Sequence, residues 1–376
     1  MCKFGSLVER TAAVILHIHS VFPASPDAPV LYSNQFLDLW ACGRALEPWN
    51  EKWQQIPLVL HDSDLTEAVQ IKLPAAEEEE QVEAEDLTKT ITKVLKNHPG
   101  PIERLRLDHS VCPGEGLLRE WVEDLSCKGV WELVILNLTQ PMEMEFPLHR
   151  LRSWSMTTLA LGFFALDWQG AQTDDLPSLK QLHLAGCRFS GQALSAVVHR
   201  LPCLRILTIG GCHVTVGCGA QGLVIDSGTL TKLHLWHCTG SALTVANAPC
   251  LDVLVVGITP PAPPASGKEI VSTIDLNSVP ALQKLHQLDL HSHNIRIANY
   301  GTRCGSSTKV KQRRVIALPS MSNLEVRVHV CMLHHASVLV DILCNLPRLE
   351  ELVIERLDDL CAPEAAPERW LSSGVC

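Results

Sequence analysis

Apolar residues recur at fixed offsets over residues 176–238. The phrase Leu-Pro-Ser-Leu-Lys-Gln-Leu-His-Leu-Ala-Gly-Cys ends at Cys187. It returns as Leu-Pro-Cys-Leu-Arg-Ile-Leu-Thr-Ile-Gly-Gly-Cys ending at Cys212, and as Ser-Gly-Thr-Leu-Thr-Lys-Leu-His-Leu-Trp-His-Cys ending at Cys238. Aligned, the copies read L-x-x-L-x-L-x-x-C with first leucines at Leu179, Leu204 and Leu230, a period of 25 and then 26 residues. The L-x-L alternation predicts a short strand whose leucines turn to one side and whose intervening residues turn to the other. The cysteine after it fits a tight turn as a small buried hydrophobe. One such unit cannot hide its apolar side alone, so neighbours must stack.

A period of this length with this pattern is that of a leucine-rich repeat. The expected fold class is therefore α/β: a leucine-rich repeat solenoid, a horseshoe of the ribonuclease-inhibitor kind. On the same frame Ile102, Val130 and Met156 precede Leu179 at spacings of 28, 26 and 23 residues. Leu251 and Leu285 follow Leu230 at 21 and 34, and Leu349 opens a late copy, Leu346-Pro347-Arg348-Leu349-Glu350-Glu351-Leu352-Val353-Ile354. Around Leu324 the frame slips, with Val326, Val328 and Val330 alternating instead. Between strands, Ser190 is placed to cap a helix with Leu194, Val197, Val198 and Leu201 inward. Leu339, Ile342, Leu343 and Leu346 make a similar face before Pro347. From Cys212 to Leu251 only short extended pieces occur, Leu223-Val224-Ile225 and Leu243-Thr244-Val245, which predicts a strand-rich middle. Upstream, Asp86 is a plausible N-cap for a helix with Leu87, Ile91, Val94 and Leu95 on one face, ending before Pro99. The acidic run 75–86 reads as a solvated loop before that helix, or else as an interaction tail.

Residues 1–62 lack the repeat. Val14, Ile15, Ile18 and Val21 sit at helical spacing until Pro23, Pro26 and Pro29 break the pattern. Trp49 and Trp53, four apart, would share one helix face. The stretch from Ala45 to Leu60 (Ala-Leu-Glu-Pro-Trp-Asn-Glu-Lys-Trp-Gln-Gln-Ile-Pro-Leu-Val-Leu) resembles the end of a plant F-box. In that motif Leu-Ser-x-x-Trp-x-x-x-Trp leads into the first strand of a leucine-rich repeat domain. Val14–Pro23 is similar to the motif's L-L-x-x-I-x-S-x-L-P. Lys96-Asn97-His98-Pro99-Gly100-Pro101, and the segment from Trp121 through Lys128-Gly129-Val130 to Glu132-Leu133-Val134, resemble the grass F-box/leucine-rich-repeat proteins. The resemblance covers most of residues 45–357. The F-box departs from its pattern: Arg10, Thr11 and Ala12 stand in place of Leu-Pro-Asp, Pro29–Trp40 is extra, and Pro48 falls in a helix interior. It is degenerate. The chain divides into a degenerate F-box-like segment with small helices (1–62), an acidic linker (63–86), the solenoid (87–357) and a tail (358–376).

The resemblance implies the substrate-recognition subunit of an SCF-type cullin-RING ubiquitin ligase, working in the nucleus or cytoplasm. The F-box would grip a Skp-type adaptor, and through it a cullin, by Val14, Ile15, Ile18, Pro23, Leu46, Trp49 and Trp53. The repeats would hold the target protein, and the attached ligase would supply the chemistry. The alternative is a protein-binding repeat scaffold whose F-box no longer works.

Composition adds bounds. An apolar fraction of 46% with 19% charged residues excludes wholesale disorder. A net charge of −10 argues against a general nucleic-acid binder. No apolar run approaches the roughly 20 residues of a membrane span. The apolar stretch Thr11–Phe22 behind Lys3 and Arg10 faintly resembles a signal peptide, but Glu9, His17, His19 and Ser20 interrupt it. Fifteen cysteines, an odd number with no C-x-x-C, read as buried thiols in a reducing compartment.

Other chemistry is thin. Gly217-Cys218-Gly219-Ala220-Gln221-Gly222 is literally G-x-G-x-x-G, yet it leads into Leu223-Val224-Ile225 and not into the helix N-terminus that holds a pyrophosphate. Cys331 with His334 and His335, or His291 with His293, lack the second ligand pair of a structural zinc site, so no metal or cofactor is expected. Asp62 and Asp64 suit a turn. Pro260–Gly267 reads as an exposed loop, and the basic stretch Arg303–Arg314 as a nuclear-import signal or a plain basic loop. No G-x-S-x-G elbow or P-loop is present, and no enzyme is expected. What remains is the solvent side of the strands: Arg104 and Arg106, Gln181 and His183, Ile206 and Thr208, Lys232 and His234, then Val253 and Val255, Gln287 and Asp289. Of these, Arg104, Arg106, Gln181, His183, Thr208, Lys232 and His234 are the candidates for target binding on the concave face, the other reading being plain solvation of a sheet. The mix of polar and apolar residues suits a protein partner, with no nucleic acid or membrane.

Overall fold

Each repeat lays one strand beside the last, all in the same direction. The structure, a computed structural model, describes residues 31–32, 57–63, 79–108, 112–138, 143–168, 176–215, 222–239, 242–259, 272–276, 279–289, 293–297, 318, 320–328, 339–340, 342–343 and 346–356. Its strands begin with β1 (Leu31–Tyr32), β2 (Leu58–His61), β3 (Ile102–Leu107), β4 (Glu132–Leu136), β5 (Thr158–Gly162) and β6 (Ala165–Leu166). They continue with β7 (Gln181–Ala185), β8 (Arg188–Ser190), β9 (Ile206–Gly210), β10 (His213–Thr215), β11 (Leu223–Asp226) and β12 (Lys232–Thr239). The last are β13 (Ala242–Asn247), β14 (Val253–Thr259), β15 (Ser272–Leu276), β16 (Lys284–Asp289), β17 (His293–Ile297), β18 (Asn323–Val328) and β19 (Glu351–Arg356). The main sheet runs β1-β2-β3-β4-β5-β7-β9-β12-β14-β16-β18-β19, in chain order and parallel throughout. β6, β8 and β10 add a short ladder beside it.

A second layer closes the core. It holds α1 (Glu79–Asn97), α2 (Glu115–Cys127), a 3-10 turn (Leu148–Arg150) and α3 (Gly191–Arg200). The parallel sheet β11-β13-β15-β17 follows, with α3 against β11. This is the strand-rich middle that the short extended pieces predict. α3 forms as read: Ser190 is its N-cap, its side chain accepting from the Ala193 amide, and Leu194, Val197 and Val198 are buried. Ile342 and Leu346 are buried too, with Leu339 and Leu343 packed against the core.

The repeat frame holds from Ile102 through Val130, Met156, Leu179, Leu204, Leu230 and Leu251, each at most 1% exposed. Fully burying such a side chain stabilises by about 1.5–3 kcal/mol. The frame proposed after Leu251 needs correction. Leu285 pairs with Leu254, the second leucine of its repeat, so the repeat opens at buried Leu282, and Lys284 and His286 take the positions expected of Gln287 and Asp289. A register shift between Leu285 and Leu288 absorbs the extra residue. The slip around Leu324 also disappears. Met321, Leu324 and Val326 are all buried and the repeat is regular.

Two helix expectations change. α1 starts at Glu79, so the second half of the acidic run is helical and Asp86 lies within the helix, not at its cap. Glutamate is a good helix former, and acidic residues in a first turn oppose the helix dipole favourably. α2 is not among the helices expected above, although Leu118, Trp121, Val122 and Leu125 sit at helical spacing and are buried. Its Trp121 indole donates to the Thr92 hydroxyl at 3.0 Å, tying α2 to α1. The adaptor-binding set Val14, Ile15, Ile18, Pro23, Leu46, Trp49 and Trp53 lies outside the described residues, as do Pro260–Gly267, Arg303–Arg314 and the tail from 357.

The turn after each strand is as regular as the strand. Phe163, Gly186, Gly211 and His237 hold the same place in four successive repeats, with φ of 62°, 60°, 62° and 51°. The amides of Phe163, Gly186 and Gly211 each donate to a carbonyl of the next repeat, at 2.8, 2.8 and 2.9 Å. Directly after, Cys187, Cys212 and Cys238 are at most 2% exposed. Their thiols donate back to the carbonyls of Leu161, Leu184 and Ile209 at 3.4, 3.5 and 3.4 Å. The cysteine is a small hydrophobe with one weak bond to spare, as the repeat pattern predicts.

Because Gly211 is left-handed, Gly211→Val is expected to cost at least about 1–2 kcal/mol, lowering the urea midpoint by circular dichroism. Gly228→Ala meets nothing within 4 Å. It is expected to stay within about 0.5 kcal/mol of the parent.

Candidate interaction face

Away from the core, the main sheet presents side chains in rows set by the strand register. One row runs Arg104, Glu132, Thr158, Gln181, Ile206, Lys232. The next runs Arg106, Val134, Ala160, His183, Thr208, His234. All seven sequence candidates, Arg104, Arg106, Gln181, His183, Thr208, Lys232 and His234, therefore share this open face. They are not equally available on it.

The two arginines are spoken for. Arg104 and Glu132, each 16% exposed, pair at 3.4 Å, and the Arg104 guanidinium lies 4.7 Å from the Trp131 ring centroid. Arg106 donates to Asp108 at 2.5 Å, with the carboxylate 2% exposed. His183 and Thr208, named as candidates for target binding, are buried, at 2% and 3%. They stand in the middle of the second row, each flanked by side chains from both neighbouring strands, which lie about 4.8 Å away. The His183 ring nitrogen also lies 3.4 Å from the Gln181 amide oxygen. Gln181 and His234 are half-buried and Lys232 is exposed.

A third row carries the feature that sequence reading missed. It runs Leu136, Gly162, Ala185, Gly210, Trp236, Gly257. A Cβ built on Gly210 would meet the Trp236 ring at 2.7 Å, so the indole lies across that glycine. Its neighbour His234 has its ring 6.4 Å away, tilted by 50°. The signal was a glycine aligned beside a tryptophan in adjacent copies of the phrase. The open face thus has a low, small-residue floor with one aromatic folded over its edge.

Among the described residues no three His, Cys, Asp or Glu side chains converge as a metal site. Cys331, His334, His335 and His291 lie outside them, and so does the G-x-G-x-x-G stretch apart from Gly222. Leu223–Asp226 after it is a strand, as read. Asp62 is buried and accepts from the Ser63 amide at 2.8 Å; Asp64 lies outside the described residues. No described helix is long and apolar enough to cross a membrane. The described cysteines are all free. Burial pushes the Cys112 thiol up to about 12 and holds Cys212 well above its ordinary value, the neighbouring thiols Cys187 and Cys238 adding to the effect.

These thiols should sort by access and ionisation. Native alkylation at neutral pH, read by peptide mass spectrometry, is expected to modify exposed Cys127, Cys203 and Cys250. Cys112, Cys187, Cys212 and Cys238 are expected to react only after denaturation, because the folded chain shields them from the reagent; at Cys112 and Cys212 burial also disfavours the thiolate, which is the reactive form.

A family model described as "FBD-associated F-box protein At5g56370, LRR repeats" matches residues 118–354. No curated protein matches the chain.

Proposed function

The chain belongs to the plant family of FBD-associated F-box proteins with leucine-rich repeats, and we propose that it acts as the substrate-recognition subunit of an SCF-type cullin-RING ubiquitin ligase. The family match over residues 118–354 carries this reading. On it, the F-box-like segment engages a Skp-type adaptor through Val14, Ile15, Ile18, Pro23, Leu46, Trp49 and Trp53. The open face of the main sheet holds the protein to be ubiquitinated. The geometry of that face supports a binding role. It is a wide parallel sheet with a mixed polar and apolar surface and an aromatic, Trp236, lying across Gly210 on it. The chain needs no cofactor for such a role and performs no catalysis; ubiquitin transfer falls to the attached ligase, in the nucleus or cytoplasm.

The F-box departures set the stakes. A lost hot-spot anchor is worth about 2 kcal/mol or more, so a degenerate motif that has lost its Leu-Pro-Asp opening weakens adaptor binding by roughly 30-fold or more if nothing compensates. The test is a pull-down of the full chain with a plant Skp-type adaptor, with Trp49→Ala/Trp53→Ala as control. Saturable binding at about micromolar Kd, abolished in the double variant, is the expected result. A folded chain that leaves the adaptor in solution would instead be a protein-binding repeat scaffold without a ligase link.

A further inference from the structure

The charge on the open face does not follow the charge of the chain. Net charge is −10, with 41 acidic residues against 31 lysines and arginines. Yet the open-face positions of four consecutive strands of the main sheet carry no carboxylate. They are Gln181, His183 and Ala185 on β7; Ile206, Thr208 and Gly210 on β9; Lys232, His234 and Trp236 on β12; and Val253, Val255 and Gly257 on β14. The N-terminal rim of the same strands adds Lys180, Arg205, Thr231 and Asp252, and the next strand adds Lys284.

Lys180, Arg205, Lys232 and Lys284 are exposed, and no ion pair forms on any of them among the described residues. Lys180 and Arg205 are immediate neighbours, the Arg205 amide donating to the Lys180 carbonyl at 2.8 Å. Like charges so placed repel. Asp252 is the one acid on this rim, and it pairs with none of the four cations. The carboxylates on either flank are engaged elsewhere: Glu132 with Arg104, and Glu325 with His286 at 3.0 Å. The sheet therefore holds a cationic strip without ion pairs among the described residues, with Trp236 four residues further along β12 than Lys232.

We propose that this strip is the docking site for an extended acidic peptide segment of the target, its carboxylates set against Lys180, Arg205, Lys232 and Lys284 and an apolar side chain against Trp236. The dimensions suit a short segment. The cations lie at the N-terminal ends of β7, β9, β12 and β16, and the five strands from β7 to β16, about 4.8 Å apart, span roughly 19 Å, the reach of about six extended residues. Carboxylates on one edge of such a segment would face the cations, and an apolar side chain on its other edge would point toward Trp236 further along β12. Duplex nucleic acid is the poorer fit, because the rest of the chain is acidic and repels a long polyanion.

The inference rests on the receptor reading for what the segment belongs to, but its test needs no adaptor. The full chain is titrated against fluorescein-labelled Glu/Tyr and Lys/Tyr peptides of equal length, followed by fluorescence anisotropy. The Glu/Tyr peptide is expected to bind about tenfold or more tightly than its Lys/Tyr counterpart, with affinity falling as salt rises from roughly 0.05 to 0.5 M. Arg205→Glu/Lys232→Glu is expected to abolish the preference. Arg205→Gln/Lys232→Gln is expected to weaken it in part, which separates lost charge from a folding defect. Arg348→Glu, an exposed site on the rim of the last repeat, is expected to leave it unchanged. Equal binding of the two peptides, binding unaltered in Arg205→Glu/Lys232→Glu, or displacement by a DNA duplex at lower concentration than by unlabelled Glu/Tyr peptide would overturn the proposal. Peptide preference without adaptor binding would sink the receptor reading alone. Adaptor binding without peptide preference would sink this one alone.

Discussion

No repeat in this chain can hide its leucines by itself, and most of what is seen follows from that. Leu182 is buried because Leu159 and Leu207 stand on either side of it, and each of those depends on its own neighbour in turn. Cooperativity of this kind runs along the stack and not around a centre. Its converse is visible at β19, where Leu352 and Ile354, the positions that are inward elsewhere, are 39% and 48% exposed. The residues there are apolar as before; what differs, among the described strands, is a neighbour on one side only.

The same dependence explains which parts of the fold could be read from residues alone. The cysteine turn, the Ser190 cap and the extended middle are local consequences of short patterns, and each forms as read. The repeat after Leu251 was misread because Leu282, Leu285, Leu288 and Leu290 satisfy two frames. Leucine spacing alone favours the one opening at Leu285. Turn chemistry decides otherwise: Pro280 precedes Leu282 just as Pro249 precedes Leu251 and Pro202 precedes Leu204. That proline sets the turn into the strand, and a register shift accommodates the leucine left out of step. The acidic start of α1 was misread for a different reason. Charge density alone suggests a solvated loop, while the helix propensity of the same glutamates points to the element that forms.

The candidate face was legible in outline only. Strand alternation put Arg104, Arg106, Gln181, His183, Thr208, Lys232 and His234 on one side of the sheet, because direction across a sheet is fixed by parity. Availability is a different property, set by neighbours on other strands that may be 25 or more positions away. Arg104 and Lys232 occupy the same row, yet one is held between a carboxylate and an indole while the other is exposed. The contrast between a chain that is acidic overall and a strip that is not emerges only when strands are laid side by side. A composition count averages it away.

The column of left-handed turns at Phe163, Gly186, Gly211 and His237 divides the chain into two regimes of change. Successive inward positions are 21 residues apart from Leu230 to Leu251 and 39 apart from Leu282 to Met321, while strand order and direction are unchanged. Length is therefore nearly free on the outer side of each turn, where added chain displaces no core leucine. Inside the strand phrase a single added residue must be bulged out, as it is in β16, or every side chain beyond it exchanges core for solvent. Insertions should accumulate between repeats and be resisted within them, so that paralogous chains can drift far apart in length while presenting the same ruled face to a partner.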